Sequence, residues 1–175
     1  MQIERIEELR LTPADDAAIA RLLKAAFGTD FGGRSFYQNR HHVRLVMRDG
    51  AQIIGHMALG LRAIRVGDRL VNAAGLAEVA TDPAHRGKGI ASALMTATIA
   101  EAQASIADFL ILFGDQDLYA GVGFETKPNR SLSIAMYGAR TGQHEHRQNE
   151  GLMVMQLRET VWDDTAEIDL MGFAF

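Results

Sequence analysis

Glu78-Val79-Ala80-Thr81-Asp82-Pro83-Ala84-His85-Arg86-Gly87-Lys88-Gly89-Ile90-Ala91-Ser92-Ala93-Leu94-Met95 is the stretch on which the fold turns. It reads as a strand, a turn at Asp82-Pro83, and a basic glycine pair opening an alanine-rich helix. Such an opening places several backbone N–H groups at the positive end of the helix, with Arg86 and Lys88 beside them. Free N–H groups and a positive dipole end attract anions, phosphate above all. Gly87 and Gly89 lack Cβ atoms, so a phosphate can come close to the backbone there. A strand–loop–helix context of this kind is what gives a glycine motif weight.

The surroundings extend the pattern. A strand is expected at 3–11, then a helix starting from Thr12-Pro13-Ala14-Asp15, with Thr as N-cap, Pro at the first helical position and acids in the first turn. Ile19, Leu22, Leu23 and Ala26 follow helical spacing and Gly28 ends the run. Residues 29–40 are glycine-rich, aromatic and basic, and read as a mobile loop or short helix. Strands follow at 43–47, 52–66 and 69–81, separated by turns at Asp49-Gly50 and Gly67-Asp68. The helix from the glycine pair is expected to reach about Ala107. Phe109-Leu110-Ile111-Leu112-Phe113 reads as a strand buried on both faces. A short helix near 117–121 and strands at 131–137 and 152–158 complete the order, with a polar loop over 138–151. The apolar tail Met171-Gly172-Phe173-Ala174-Phe175 is expected to dock rather than float.

The core Arg86-x-x-Gly89-x-Ala91, with Val79-Ala80-Thr81-Asp82-Pro83 before it and Tyr119-Ala120-Gly121-Val122-Gly123-Phe124-Glu125 downstream, resembles the acyl-CoA signature of the GNAT acetyltransferase superfamily. The β-α-β-β-β-α-β-α-β-β order fits as well, most strongly over 78–125. The resemblance implies an α/β (α+β) fold with a mixed, mostly antiparallel central sheet, a splayed strand pair, and helices on both faces. It also implies one acyltransferase domain over 1–175 that moves an acetyl group from acetyl-CoA to a primary amine of a small-molecule acceptor. The pyrophosphate would lie on the N–H groups of Arg86, Gly87, Lys88, Gly89, Ile90 and Ala91. The pantetheine arm would bond main-chain groups of Val79 and Thr81, with small Ala80 where the cofactor comes close. Tyr119, four residues before Gly123-Phe124, would protonate the leaving thiolate. Glu78, beside the splay point, would take the amine proton through water, unless it is a solvated face residue. His56 is a weaker candidate base, since a lone strand histidine usually has a structural partner. Arg34 or Arg40 would pair an acceptor carboxylate or be solvated. Segments 56–67 and 75–79 are similar to the nodulation N-acyltransferase branch, which implies a longer acyl donor as the alternative. The ending Trp162…Glu167-Ile168-Asp169-Leu170-x-Gly172 is similar to related aminoglycoside and acyl N-acetyltransferases.

Composition narrows the class. The 175 residues are 47% hydrophobic and 23% charged, enough for one globular domain with a sizeable core. A net charge of −4 and a pI near 5.8 give no overall field for nucleic acid or anionic membrane. The absence of cysteine excludes disulfides, thiol catalysis and a cysteine-built zinc site. His41-His42 and His144-x-His146 lack a third ligand, so no metal is expected and these read as solvated loop histidines. No apolar run reaches membrane length and the first residues lack a leader pattern, so the chain reads as cytoplasmic, with a homodimer allowed. Two competing readings stand beside the transferase. Gly87-x-Gly89-x-x-Ser92 with Asp108 half resembles a dinucleotide fingerprint, but it sits mid-chain with its acid before a strand. A non-catalytic acyl-CoA sensor would keep the same phosphate loop.

Overall fold

The computed structural model describes residues 1–114, 117–148 and 151–175. In chain order the elements are β1 (Gln2–Glu7), α1 (Pro13–Phe27), β2 (Val43–Asp49), β3 (Gln52–Val66), β4 (Arg69–Thr81), α2 (Ile90–Ala104) and β5 (Phe109–Phe113). They continue as α3 (Asp117–Ala120), β6 (Glu125–Thr126), β7 (Arg130–Tyr137), β8 (Arg140–Gln148), β9 (Leu152–Gln156) and β10 (Ile168–Asp169). Ten strands form one mixed sheet in the order β6-β9-β5-β4-β3-β10-β7-β8, with β2 also on β3 and β1 on β2. The pairs β4–β5 and β10–β7 are parallel, whereas β1–β2, β2–β3, β3–β10, β5–β9, β6–β9 and β7–β8 are antiparallel. The chain therefore has the mixed, mostly antiparallel α/β architecture expected from its element order.

Contacts divide the chain into two units, 1–60 with 76–101 and 61–75 with 102–175. In the first unit α1 is set by its caps. The Thr12 hydroxyl accepts the Asp15 N–H at 3.1 Å, and Gly28 closes the helix in the left-handed region with its N–H on the Lys24 carbonyl. Such an N-cap is worth about 1 kcal/mol. Ile19, Leu22 and Leu23 project from α1 into a core shared with Ile6, Val46, Ile53 and Ala80. Gly55 on β3 gives α2 a flat seat, since a Cβ there would lie 2.6 Å from Ile90 Cγ2 and 2.8 Å from Leu94 Cδ1.

In the second unit β5 carries Phe109, Leu110, Ile111 and Leu112, all essentially solvent-free, as its apolar run requires. It pairs with β4 over Ala73, Ala74 and Gly75, and with β9 along its whole length. The tail docks as expected: Ile168 and Leu170 are core residues beside Trp162, and Ala174 and Phe175 pack on that cluster. Trp162 meets Phe109 edge-on at 4.9 Å and gives its N–H to Asn129 Oδ1 at 2.9 Å.

Several expectations need correction. The polar segment after Gly138 is not a loop: over its described residues it forms β8, an antiparallel partner of β7. Its side chains alternate between charged and polar types, so it has no apolar face to announce it. The helix α2 stops at Ala104 rather than Ala107, because the Ser105 hydroxyl takes the Ala102 carbonyl and bends the chain away. The opening strand ends at Glu7, followed by a short 3₁₀ turn over Glu8–Arg10. Residues 28–42 contain neither helix nor strand, yet many side chains tie them down. Among the described residues no helix is long and apolar enough to cross a membrane.

Candidate active site

All the phosphate-loop residues lie in the first unit. Asp82 accepts the Ala84 N–H at 2.8 Å and starts a 3₁₀ turn over Pro83–His85, which delivers the chain to the loop. Gly87 and Gly89 then take φ of +77° and +75°, which side-chain-bearing residues rarely adopt. A Cβ at either position would meet no heavy atom within 4 Å, so the space above both is open. The helix begins at Ile90, and its first recorded bond runs from the Ala93 N–H to the Gly89 carbonyl at 3.0 Å. The N–H groups of Ile90, Ala91 and Ser92 precede it and have no partner within a helix. Ile90 is buried and anchors the turn, while Arg86 and Lys88 are exposed beside it. Arg86 reaches back to the Ala26 carbonyl at 3.3 Å. This arrangement can hold a phosphate or pyrophosphate.

Immediately upstream, β4 carries the other predicted residues. Ala80 points its methyl into the α1 core, so only its main chain is available to a ligand. Val79 and Thr81 alternate with it and are half-buried. Glu78 has φ +53°, strained for a non-glycine residue in a strand, at a cost of order 1 kcal/mol or more. Hydrogen bonds on both its main chain and its side chain hold it there. Its carbonyl accepts from His56 Nδ1 at 2.9 Å. Its Oε1 accepts the Tyr37 N–H at 2.6 Å and its Oε2 meets His41 Nε2 at 2.8 Å. Glu78 is thus a buried, engaged carboxylate, only 6% exposed, and the alternative of a solvated face residue falls away.

Behind it lies a network that the sequence reading did not assemble. Arg44 on β2 is fully buried and meets both oxygens of Glu8, through Nε at 2.7 Å and Nη2 at 2.9 Å. Its Nη1 donates to the Ser35 carbonyl at 2.7 Å and lies 3.2 Å from His56 Nε2. The Ser35 hydroxyl donates to Asp16, and Arg40 bridges Glu8 and Asp16 while stacking on Phe36. Burial works to raise the carboxyl of Glu8, but the hydrogen bonds of Arg44 and Arg40 outweigh it and hold the group below its ordinary value. His56 is pushed down to about 4, first by burial and then by the Arg44 cation. Its ring is therefore neutral near pH 7. Because a carbonyl only accepts, the proton sits on Nδ1, and Nε2 accepts from Arg44.

The network changes two expectations and bears out a third. His41 is not a solvated loop histidine, since its side chain is only 8% exposed and bonded to Glu78. Arg40 is already committed to two carboxylates, whereas Arg34 leans on Phe36 and leaves its buried Nε without a partner. His56 does have the structural partners expected of a strand histidine. The signal for the network was Arg44 itself: a lone cation in Val43-Arg44-Leu45-Val46-Met47 must find a buried carboxylate. Among the described residues no group of three or more His, Asp or Glu side chains is placed to hold a metal.

Tyr119 lies in the second unit, on α3. It is 8% exposed, packs edge-on against Phe124 with ring centroids 6.0 Å apart, and accepts the Phe124 N–H on its carbonyl. A Cβ at Gly114 would stand 3.1 Å from its ring, so that glycine leaves room for the aromatic. Asp108, the acid of the dinucleotide reading, spends its carboxylate on the Asn72 N–H at 2.8 Å and the Thr160 hydroxyl at 2.9 Å. It has a structural duty and is not laid out for a ribose.

Known proteins give a consistent picture. The fold is similar to that of a GNAT family N-acetyltransferase (YhbS) from Escherichia coli solved with CoA, at 21% identity and TM-score 0.66 over 95% of this chain and 88% of that one. A GNAT family acetyltransferase from Brucella melitensis, solved with acetyl-CoA, is similar at 24% identity and TM-score 0.55, over 71% and 84% of the two chains. The ribosomal-protein-S18-alanine N-acetyltransferase from Escherichia coli is similar at 16% identity and TM-score 0.59, over 93% and 100%. No curated protein sequence matches the chain significantly. The family model described as Acetyltransferase (GNAT) domain matches residues 9–126, which takes in the glycine loop, Tyr119 and the Glu78 network apart from Glu8. This chain belongs to the GNAT acetyltransferase family.

Proposed function

We propose that this chain transfers the acetyl group of acetyl-CoA to a primary amine of a small-molecule acceptor by direct attack, as one acyltransferase domain. The observation that carries the reading is the open glycine cradle at the start of α2, where Gly87 and Gly89 have positive φ and the space a Cβ would fill is empty. Arg86 supplies planar two-point contact with phosphate and Lys88 a point charge. Main-chain groups of Val79 and Thr81 bond the amides of the pantetheine arm. Ala80 contributes only its backbone, its methyl being part of the core. Tyr119 gives its phenol proton to the departing sulfur. Glu78 belongs to the acid–base machinery on the acceptor side. The aromatic loop from Phe31 to Arg40 walls the acceptor, and its attachment to Glu78 through Tyr37 supports that placement.

The test is binding and turnover together. Acetyl-CoA raises the melting temperature by mass action and NAD does not. A panel of polyamines, aminoglycosides and amino acids, followed by thiol release, finds the acceptor. Tyr119→Phe keeps the ring and removes the acid, so kcat falls roughly ten- to several-hundred-fold with acetyl-CoA affinity unchanged. Binding without turnover on any amine would make the chain an acyl-CoA sensor. A strong preference for long acyl donors would place it nearer the nodulation branch.

A further inference from the structure

Two histidines touch Glu78, and they are not equivalent. His56 has both nitrogens committed: Nδ1–H to the Glu78 carbonyl, and Nε2 to Arg44. It is fully buried and cannot exchange a proton with a ligand without breaking that pair. His41 is instead bonded to the carboxylate itself: its Nε2 meets Glu78 Oε2 at 2.8 Å. A carboxylate can only accept, so Nε2 carries the hydrogen in the neutral ring and Nδ1 presents its lone pair. Meanwhile Glu78 has each oxygen occupied, one by His41 and one by the Tyr37 N–H. It is built to orient an imidazole rather than to meet an amine.

We infer that His41 is the group that takes the acceptor's proton and that Glu78 is its orienting carboxylate, a role that rests on the acetyl-transfer reading above. The logic is that of a base held in one tautomer by a buried acid, which also stabilises the imidazolium that forms. The acceptor arrives as an ammonium and loses one proton to Nδ1 of His41. The free amine then attacks the thioester carbonyl, forming the C–N bond as the C–S bond breaks. Of the three ammonium protons, one stays on the amide nitrogen. A second replaces the phenol proton that Tyr119 gives to sulfur, and the third leaves His41 for solvent. The products are the amide, CoA thiol and one released proton. His41 stands at the end of the loop 28–42, directly before β2, and the bond from the His42 N–H to the Leu59 carbonyl at 2.8 Å fixes that end. The charged groups facing it are Glu78 from β4, Arg44 from β2 at 3.9 Å from the same Glu78 oxygen, Glu8 after β1, and neutral His56 from β3.

His41→Gln tests the assignment, because its side-chain amide still donates to Glu78 but cannot take a proton. With the panel amine of highest turnover, kcat/KM falls roughly 10²–10³-fold. The acidic limb of its pH profile disappears, while acetyl-CoA affinity and melting temperature stay as in wild type. An unchanged rate, or a loss of equal size at every pH, would overturn the proposal, the latter marking a structural role. Nitrogen-15 histidine NMR of the wild-type chain gives a second reading that needs no variant. The Nε2–H tautomer at His41 is expected, and the Nδ1–H tautomer refutes the inference. A wild type inactive with every amine sinks the transfer reading and this one with it, whereas an active wild type with an equally active His41→Gln sinks only His41.

Discussion

Glu78 and Gly89 are neighbours in the chain, yet they belong to opposite kinds of site. Around Glu78 the polar groups are buried and saturated: Arg44 is closed from solvent, Glu8 binds two guanidiniums, and His56 has both nitrogens engaged. Around Gly89 the space a Cβ would fill is open and the two cations Arg86 and Lys88 are exposed. One region spends its hydrogen-bonding capacity on the fold, and the other leaves room that the proposed ligand would use. The difference follows from the physics of each task. A group that takes or gives a proton must be held in one geometry and start from a defined tautomer, which calls for fixed partners. A phosphate brings its own charge and needs only waiting donors at a helix end.

The contrast breaks first at Arg44. Replacing it by Met keeps the volume and removes the charge, leaving Glu8 and the Ser35 carbonyl without their buried donor. Breaking such a pair from one side costs about 3–5 kcal/mol, so a large fall in the urea midpoint is expected. Arg86→Ala, in the open loop, removes an exposed cation and should move the midpoint by no more than about 0.5 kcal/mol. Equal effects at the two positions would erase the distinction.

Acid sharpens it next. His56 has a folded pKa of about 4 against an ordinary value near 6.5. Between those values the unfolded chain binds a proton that the folded chain refuses. Its contribution is therefore whole above about pH 6.5 and is lost as pH falls toward 4, amounting to about 2 kcal/mol between pH 7 and 5. Carboxylates titrate mostly below that window, and the share of the slope that disappears on substitution is the share His56 contributes. His56→Gln should flatten it in urea denaturation at pH 7, 6 and 5, whatever it does to stability at pH 7. A slope as steep as wild type would show that His56 is not held neutral.

How much of this the sequence carried depends on whether a signal was local. The bounds of β3 and β4 were legible because Gly50 and Gly67, both at φ +58°, punctuate them. Helix α1 was legible because Thr12, Pro13 and Gly28 mark its ends. The phosphate loop was legible because its donors, glycines and cations are consecutive. The Glu78 network was not, since Glu8, Ser35, His41, Arg44 and His56 come from five places along the chain. No periodicity relates a loop histidine to a carboxylate 37 positions later. Strand β8 was hidden for another reason: it is bonded to β7 through its backbone, and its exposed polar side chains read as loop.

The smallest effect tests the open side alone. Gly89→Ala adds one methyl at φ +75°, where an L-residue costs about 1 kcal/mol, and the methyl meets nothing in the protein within 4 Å. The unliganded chain should therefore melt only slightly lower. Acetyl-CoA should lose more, because that empty volume is where a phosphate oxygen would approach the backbone. Gly89→Asp places a carboxylate at the same spot; Asp tolerates the left-handed region better than Ala and suits a helix N-terminus, so its unliganded melting should be no lower than that of Gly89→Ala while its acetyl-CoA shift vanishes. Measured together, the two variants separate a fault in the fold from one in the site: the first lowers unliganded melting, and the second removes the ligand shift while unliganded melting is kept. If both keep the full wild-type shift, the phosphate does not sit over Gly89. The open space would then be no more than an unfilled helix end.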